Sequence, residues 1–146
     1  MTNKTDDAII DRVVEKAHRE WSKADLTAIR DNLIAARDLI ADPQHWCRDY
    51  FALDDKGRMC DAIEDKARQW CATGAYIWAS EEYGDDGRDG VWDGDGFLGA
   101  AARLAYHGSI GIADVNDHLG HAAVMRVYDL AIATVERLIG ERGGTA

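Results

Sequence analysis

Cys71 is the residue whose type and surroundings could support covalent chemistry. It lies in RQWCATGAYIW, residues 68–78. Papain-like hydrolases place a nucleophilic cysteine at a helix N-terminus with a histidine as its base. The histidines available for that role are His107, His118 and His121. The catalytic hypothesis takes Cys71 as nucleophile and His118 as base, oriented by Asp117 or Asn116.

The spacing of apolar residues around Cys71 favours a structural role instead. A helix predicted over residues 61–82 carries apolar residues three and four positions apart, on one face. The residues of this stripe are Ile63, Ala67, Trp70, Cys71, Ala75 and Trp78. We expect Cys71 in mid-helix to be buried, with a raised thiol pKa. Cys71→Ser should then cost roughly 1–3 kcal/mol, and Cys71→Ala less.

A metal site is the second kind of chemistry to consider. DVNDHLGH, residues 114–121, places Asp114, His118 and His121 at helical spacing, where they could hold zinc with one open position. Gly120 favours a capped turn over a continuous helix here. The three cysteines contain no C-x-x-C pair. We therefore expect no metal and no cofactor, and keep these three residues as the alternative ligand set.

The loop over residues 81–96, EEYGDDGRDGVWDGDG, concentrates seven acidic residues and one arginine. Neither EF-hand frame fits, because loops starting at Asp85 or Asp89 lack an oxygen ligand at the third position. Tryptophan is a favoured interface residue, and surrounding charge speeds association with a basic partner. The residues predicted to bind a partner are Asp85, Asp86, Asp89, Trp92 and Asp93. The other interpretation is that Trp92 packs into the core and the acids only solvate the loop.

The elements that would position these residues are helical. Apolar periodicity predicts an all-α fold, a single compact domain of about five helices with an acidic Gly/Asp-rich loop. The predicted helices span residues 6–21, 25–41, 61–82, 96–107 and 118–139. Residues 42–58 read as a connector with aromatic anchors and a DDKG turn. The last helix has the clearest stripe, and residues 140–146 read as a flexible tail.

Composition bounds the function classes. The chain has 146 residues, one proline, three cysteines and a net charge of −10. This charge disfavours direct nucleic-acid binding, which needs surplus lysine and arginine. The polar start MTNKTDDA predicts no signal peptide, and no apolar run is long enough for a membrane span. The odd cysteine count is typical of a reducing cytoplasm.

Four short motifs resemble a family of short bacterial and phage proteins classed as a domain of unknown function. The matching segments are LIADPQHW at 39–46, DYFALDDKG at 49–57, ARQWCATGA at 67–75, and the Asn116–Asp117 pair followed by DLAI at 129–132. The resemblance spans about residues 26–138. Residues 1–24 form an additional N-terminal helix beside a family-like core at 25–139. The resemblance implies a helical cytoplasmic domain and no particular activity.

These observations predict a small acidic cytoplasmic protein that acts by non-catalytic binding of a protein partner. A phage or mobile-element accessory role enters through the resemblance alone. One version is an inhibitor of a host nucleic-acid enzyme, in which the acidic loop imitates phosphates, although the glycines weigh against such mimicry. A basic partner and homo-oligomerisation are both compatible with the sequence. The alternative is a cysteine-dependent hydrolase or transferase using Cys71.

Overall fold

The fold is mostly helical, with a small sheet inserted between the second and third helices. A computed structural model describes residues 4–81, 96–107 and 110–143. Its helices are α1 (Lys4–Glu20), α2 (Lys23–Leu39), α3 (Ala72–Ser80), α4 (Phe97–Tyr106), α5 (Ile112–Asp114) and α6 (His121–Gly143). Its strands are β1 (Ala52–Leu53), β2 (Met59–Cys60) and β3 (Gln69–Trp70). The expected all-α class is therefore corrected to a mostly helical fold with a three-stranded antiparallel sheet.

Helix α6 is the centre of the core, packing against α2 and α4. Its predicted stripe is confirmed, since every member is buried: Val124, Val127, Tyr128, Ala131, Val135 and Leu138. The facing stripe of α2 consists of Leu26, Ile29, Leu33 and Ala36. Helix α2 also packs on α3, so these two long helices position the short one. None of the helices in the described ranges combines the length and apolar character that a bilayer crossing requires.

The two ends of the described chain are packed together. Helix α1 packs on α4, and the Trp21 ring stacks on Phe97 with 5.1 Å between centroids. The guanidinium of Arg142 donates to the carbonyl oxygens of Ala17, at 2.9 Å, and of Trp21. These bonds fasten the C-terminal end of α1 to the C-terminal part of α6. Residues 140–143 are consequently helical rather than part of the expected tail.

The sheet has the order β2-β1-β3, and both pairings are antiparallel. The DDKG segment forms the predicted turn between β1 and β2, with Gly57 at a φ of +75°. The buried Asp54 carboxylate accepts the N–H groups of Lys56 and Arg58, each at 2.9 Å. The bond from the Arg58 N–H is the largest influence holding the pKa of Asp54 below its usual value. This side chain fixes the hairpin that presents Met59.

The predicted helix over residues 61–82 is wrong in its first half. Residues 61–64 form a turn, and residues 69–70 are strand β3, paired with β1. The indole of Trp70 donates to the carbonyl oxygen of Ala62 at 2.9 Å, which holds the turn against the strand. Four members of the predicted stripe are buried, but they do not share one helix. Ala67 follows the turn, Trp70 is in β3, Cys71 is the N-cap of α3, and Ala75 is in α3. Ile63 and Trp78 are instead 47% and 39% exposed.

The last helix begins later than predicted. Val115–Leu119 forms a π-helical turn, and Gly120, at a φ of +101°, separates this turn from α6. Only glycine adopts this backbone region readily, so the chain changes direction there. A π-helical turn displaces side chains from the α-helical positions, and such turns often occur at functional sites. Here it carries Asn116 and Asp117.

Candidate functional site

An open cleft of about 320 Å³ lies where the β1–β2 hairpin meets the N-terminus of α3 and the π-helical turn. The residues that line it are Asp49, Tyr50, Phe51, Met59, Cys71, Thr73, Ala113, Asn116 and Asp117. We call it the Cys71 cleft. Of the residues in the catalytic hypothesis, it brings together Cys71, Asn116 and Asp117. His118 is exposed and does not line it.

Asn116 joins three segments beneath the cleft. It is only 1% exposed. Its Oδ1 accepts hydrogen bonds from the Trp46 indole, at 2.6 Å, and from the N–H of Ala72, at 2.9 Å. Its Nδ2 donates to the Cys47 carbonyl and to Asp117 Oδ1, both at 3.0 Å. Both donors and both acceptor positions of the amide are therefore used, so Asn116 acts as a clamp.

Asp117 and Asp49 form one wall of the cleft. Asp117 Oδ1 also accepts the N–H of Asp49, at 2.9 Å. Asp49 has a φ of +71°, a region in which aspartate and asparagine are tolerated better than most residues. The hydrogen bond that Asp49 donates to Asp117 therefore holds the left-handed backbone just before Tyr50 and Phe51.

Cys71 is the N-cap of α3. Its sulfur accepts a hydrogen bond from the N–H of Gly74 at 3.2 Å, and its own N–H donates to the Phe51 carbonyl. A helix N-terminus is where a nucleophilic cysteine would be placed, which the predicted mid-helix position did not allow. The expected burial of Cys71 is confirmed at 8% exposure. The sequence therefore predicted its burial correctly and its position in the helix wrongly.

The environment of the thiol opposes nucleophilic chemistry. Burial raises the pKa of Cys71 above its ordinary value, and the hydrogen bond from Gly74 offsets this only in part. Burial also raises the pKa of the neighbouring Cys47 to about 12. Within the described residues, no hydrogen bond links Cys71 to a histidine. Both thiols stay protonated near neutral pH, and a thiol is a much weaker nucleophile than a thiolate.

The alternative metal ligands Asp114, His118 and His121 do not converge on one point, and two of them contact different parts of the protein. Asp114 Oδ2 accepts the N–H of Gly111 at 3.2 Å, closing the first turn of α5. His121 Nε2 lies 2.7 Å from the Ile40 carbonyl oxygen, and its ring packs edge-on against Trp46. His118 is exposed on the π-helical turn. Across residues 4–81, 96–107 and 110–143, no group of three or more His, Cys, Asp or Glu side chains is arranged to hold a metal ion.

The predicted partner-binding residues lie outside the described residues. They are Asp85, Asp86, Asp89, Trp92 and Asp93. The structure begins again at Gly96, which precedes α4. Phe97, at the start of α4, is buried against Trp21.

Sequence reasoning missed the exposed rim of the Cys71 cleft. Tyr50 is 48% exposed, Phe51 49% and Met59 70%. Residues 42–58 were expected to carry aromatic anchors, and Trp46 does pack against the core. Tyr50 and Phe51 face solvent instead. An outward face of a strand is recognised in sequence by alternating apolar and polar residues. Strand β1 has only two residues, which is too short to show such alternation.

A larger depression of about 530 Å³ lies between the 3₁₀ turn Pro43–His45 and the β1–β2 hairpin. Two of the polar side chains there are bonded within the protein. Arg68 donates to the Asp65 and Ala67 carbonyls, and Gln69 donates to the Gln44 and Trp46 carbonyls. Three exposed large hydrophobic side chains line the Cys71 cleft and none of those in the described residues lines the larger depression, so the smaller cleft is the better candidate for binding a protein.

A family model matches most of the chain. A model described as a family of unknown function (DUF6197) matches residues 24–134. The matched region contains the whole Cys71 cleft and begins after α1. No curated protein and no solved structure matches the chain.

Proposed function

The chain belongs to a family of unknown function (DUF6197), and from its own surface we propose that it is a non-catalytic domain that binds a protein partner through the Cys71 cleft. The observation that carries this proposal is the exposure of Tyr50, Phe51 and Met59 around one cleft. Aromatic residues and methionine are enriched at protein interfaces. Six large hydrophobic side chains are exposed in the described residues, and three of them line this one cleft.

The size of the cleft favours a protein segment over a cofactor. Sites for small molecules and cofactors occupy about 300–1,000 Å³ and bury most of the ligand. The Cys71 cleft, at about 320 Å³, is at the lower limit and is open to solvent. It therefore suits one large side chain of a partner, with the exposed rim covered by the partner's neighbouring residues.

The rim and the floor have different roles in this proposal. Asn116 and Cys71 use their polar atoms to hold the backbone beneath the cleft, as described above. Their positions are therefore fixed before a partner arrives, and binding needs little reorganisation. Preorganised sites lose less affinity to ordering than flexible ones.

Cysteine-dependent chemistry is the second candidate, and the placement of Cys71 favours it. The sulfur is at the N-terminus of α3, in an open cleft, beside a cleft wall containing Asp117. A hydrolase or transferase would also need a thiolate and a base. The raised thiol pKa and the exposed position of His118 both weigh against this candidate. We therefore rank it below non-catalytic binding.

The proposal includes a cytoplasmic localisation. Cys47, Cys60 and Cys71 are all free thiols, as is usual in a reducing compartment. A phage or mobile-element role, and inhibition of a host nucleic-acid enzyme, remain predictions, because the loop that motivates the inhibitor idea lies outside the described residues.

In-cell photo-crosslinking tests the proposed function. We would place p-benzoylphenylalanine at position 59 and expect a discrete, light-dependent protein adduct in cells of the source organism. The matched control puts the same group at position 119, because Leu119 is 47% exposed but does not line the cleft. Equal adducts from both positions, or none from position 59, would contradict binding at the Cys71 cleft.

A further inference from the structure

A second depression adjoins the Cys71 cleft. Phe51 and Met59 line both, and the second has a volume of about 250 Å³. Its other lining residues are Cys60, Asp61 and Glu64. The two depressions share the Phe51–Met59 wall, so they lie side by side. We call the pair the extended groove.

Charge is distributed along the extended groove in a specific way. Asp49 and Asp117 line its first part, and Asp61 and Glu64 line its second. Of the residues that the structure describes, no lysine or arginine lines either part. The side chains shared by both parts, Phe51 and Met59, are apolar. The groove therefore has an apolar middle with carboxylates toward each end.

Cationic side chains pair with only part of the negative charge that lines the groove. Lys66 lies 3.3 Å from Glu64 and is the cation that neutralises charge at that end. Asp117 accepts two N–H groups, which carry no net charge. Asp49 and Asp61 are exposed. Among the described residues, the carboxylates that line the groove thus outnumber the cations paired with them.

Resting on the proposed function, we propose that the occupant of the extended groove is a segment of a partner protein in which one large apolar side chain is flanked on both sides by lysine or arginine. The apolar side chain fills the Cys71 cleft beside Met59. The flanking cations lie over the carboxylates at each end. Complementary charge at an interface rim adds specificity and speeds association.

The same charges argue against nucleic acid in this groove. A phosphate backbone is bound by lysine and arginine, which release condensed counterions. The lining contains four carboxylates and neither of these residues. A protein segment with a central apolar side chain and basic flanks matches both the apolar middle and the acidic ends of the groove.

The test uses two short blocked peptides and the whole protein labelled with ¹⁵N. Both peptides have a central tryptophan; one has two lysines on each side, and the other has two glutamates on each side. We expect the lysine peptide to shift amide signals of the groove residues and to bind about tenfold more tightly, because a few exposed ion pairs together contribute this much at low salt. The difference should shrink at high salt.

Matched variants assign the effect to the groove. Asp49→Asn with Asp61→Asn removes one charge at each end, and asparagine tolerates the positive φ of position 49. We expect this pair to lose most of the lysine preference. Asp11→Asn with Asp38→Asn makes the same change in net charge at exposed positions of α1 and α2 and should keep it.

The outcomes separate this inference from the proposed function. If both peptides shift the groove signals equally, the basic-flank class is overturned and the proposed function stands. If neither peptide shifts the groove signals, or the shifts lie elsewhere, the inference is also overturned. The crosslinking at position 59 then decides the proposed function independently, since it presumes nothing about the flanks.

Discussion

The sulfur of Cys71 accepts a hydrogen bond from the backbone N–H of Gly74 at 3.2 Å, and this contact caps α3. Serine, threonine, aspartate and asparagine usually supply such a bond. Here a thiol does so at the floor of a cleft. The cap gives this cysteine a structural role at the helix N-terminus.

The cap reverses the order of stability expected for Cys71 variants from sequence. Cys71→Ser should be close to neutral, because serine is a preferred N-cap and its hydroxyl can accept the Gly74 N–H. Cys71→Ala removes the acceptor and should cost about 0.5–2 kcal/mol. Denaturant unfolding of both variants measures this. A serine variant that is less stable than the alanine variant would mean that the sulfur is held by apolar packing alone.

Gly74 is required by a close approach of two backbones. A Cβ added there would lie 1.9 Å from the Phe51 carbonyl oxygen. Gly74→Ala must therefore move α3 away from the segment before β1, and overpacking of this kind costs about 1–3 kcal/mol or more. The control is Gly140→Ala in α6, where nothing lies within 4 Å of the added Cβ. That change should stabilise by roughly 0.5–1 kcal/mol through helix propensity. Thermal unfolding showing the same sign for both variants would contradict the close approach.

Asn116 should be among the most sensitive polar positions. Asn116→Ala leaves the Trp46 indole N–H and the Ala72 N–H without their acceptor. Each buried unsatisfied donor costs about 1–3 kcal/mol, so the variant should lose roughly 2–5 kcal/mol. Asn32→Ala, on α2, is the control and should change stability by less than about 0.5 kcal/mol. Chemical denaturation of the pair tests the clamp, and a loss at Asn116 no larger than at Asn32 would show that no clamp exists.

Alkaline pH should destabilise the fold through Cys47. Its pKa is raised from 9.0 to about 12, so the folded state favours the protonated thiol. That contribution is fully present below pH 9.0 and is lost as pH rises toward 12. One thiol changes the free energy of unfolding by at most about 1.4 kcal/mol per pH unit. The free energy of unfolding, measured from pH 9.0 toward pH 12, should fall less steeply for Cys47→Ala than for the natural chain. Equal slopes would argue that Cys47 titrates normally in the fold.

The same burial predicts the order of thiol reactivity. In the native protein at neutral pH, Cys60 should alkylate before Cys47 and Cys71, because it is only partly buried. Mass spectrometry after brief exposure to iodoacetamide gives the order. Alkylation of Cys71 ahead of Cys60 would favour the cysteine-dependent alternative.

The sequence predicts the long helices well because each contains several turns, over which the helical repeat of apolar residues can be recognised. The α6 stripe from Val124 to Leu138 covers several turns and is fully buried. The first half of the third predicted helix was wrong because Ala67, Trp70 and Cys71 have the same spacing as the helical residue Ala75 by coincidence. Strand β3 has only two residues, and its pairing with β1 depends on a long-range contact that local periodicity does not contain.

The site was predicted in part for a similar reason. Cys71, Asn116 and Asp117 stood out by residue type, and the structure brings them to one cleft. The rim of Tyr50, Phe51 and Met59 comes from a connector and the short strand β2. Their exposure is set by the Asp54 turn and by the left-handed backbone at Asp49, which no composition or spacing rule reveals.

The most direct test of binding through the Cys71 cleft is quantitative mass spectrometry of proteins that co-purify with three forms of the chain at equal expression. These are the natural chain, the Tyr50→Ser and Met59→Ser double variant, and Leu119→Ser. The account predicts a partner recovered with the natural chain and with Leu119→Ser, and depleted by about tenfold or more with the double variant, because apolar anchors carry most interface energy. Undiminished recovery with a folded double variant would contradict it.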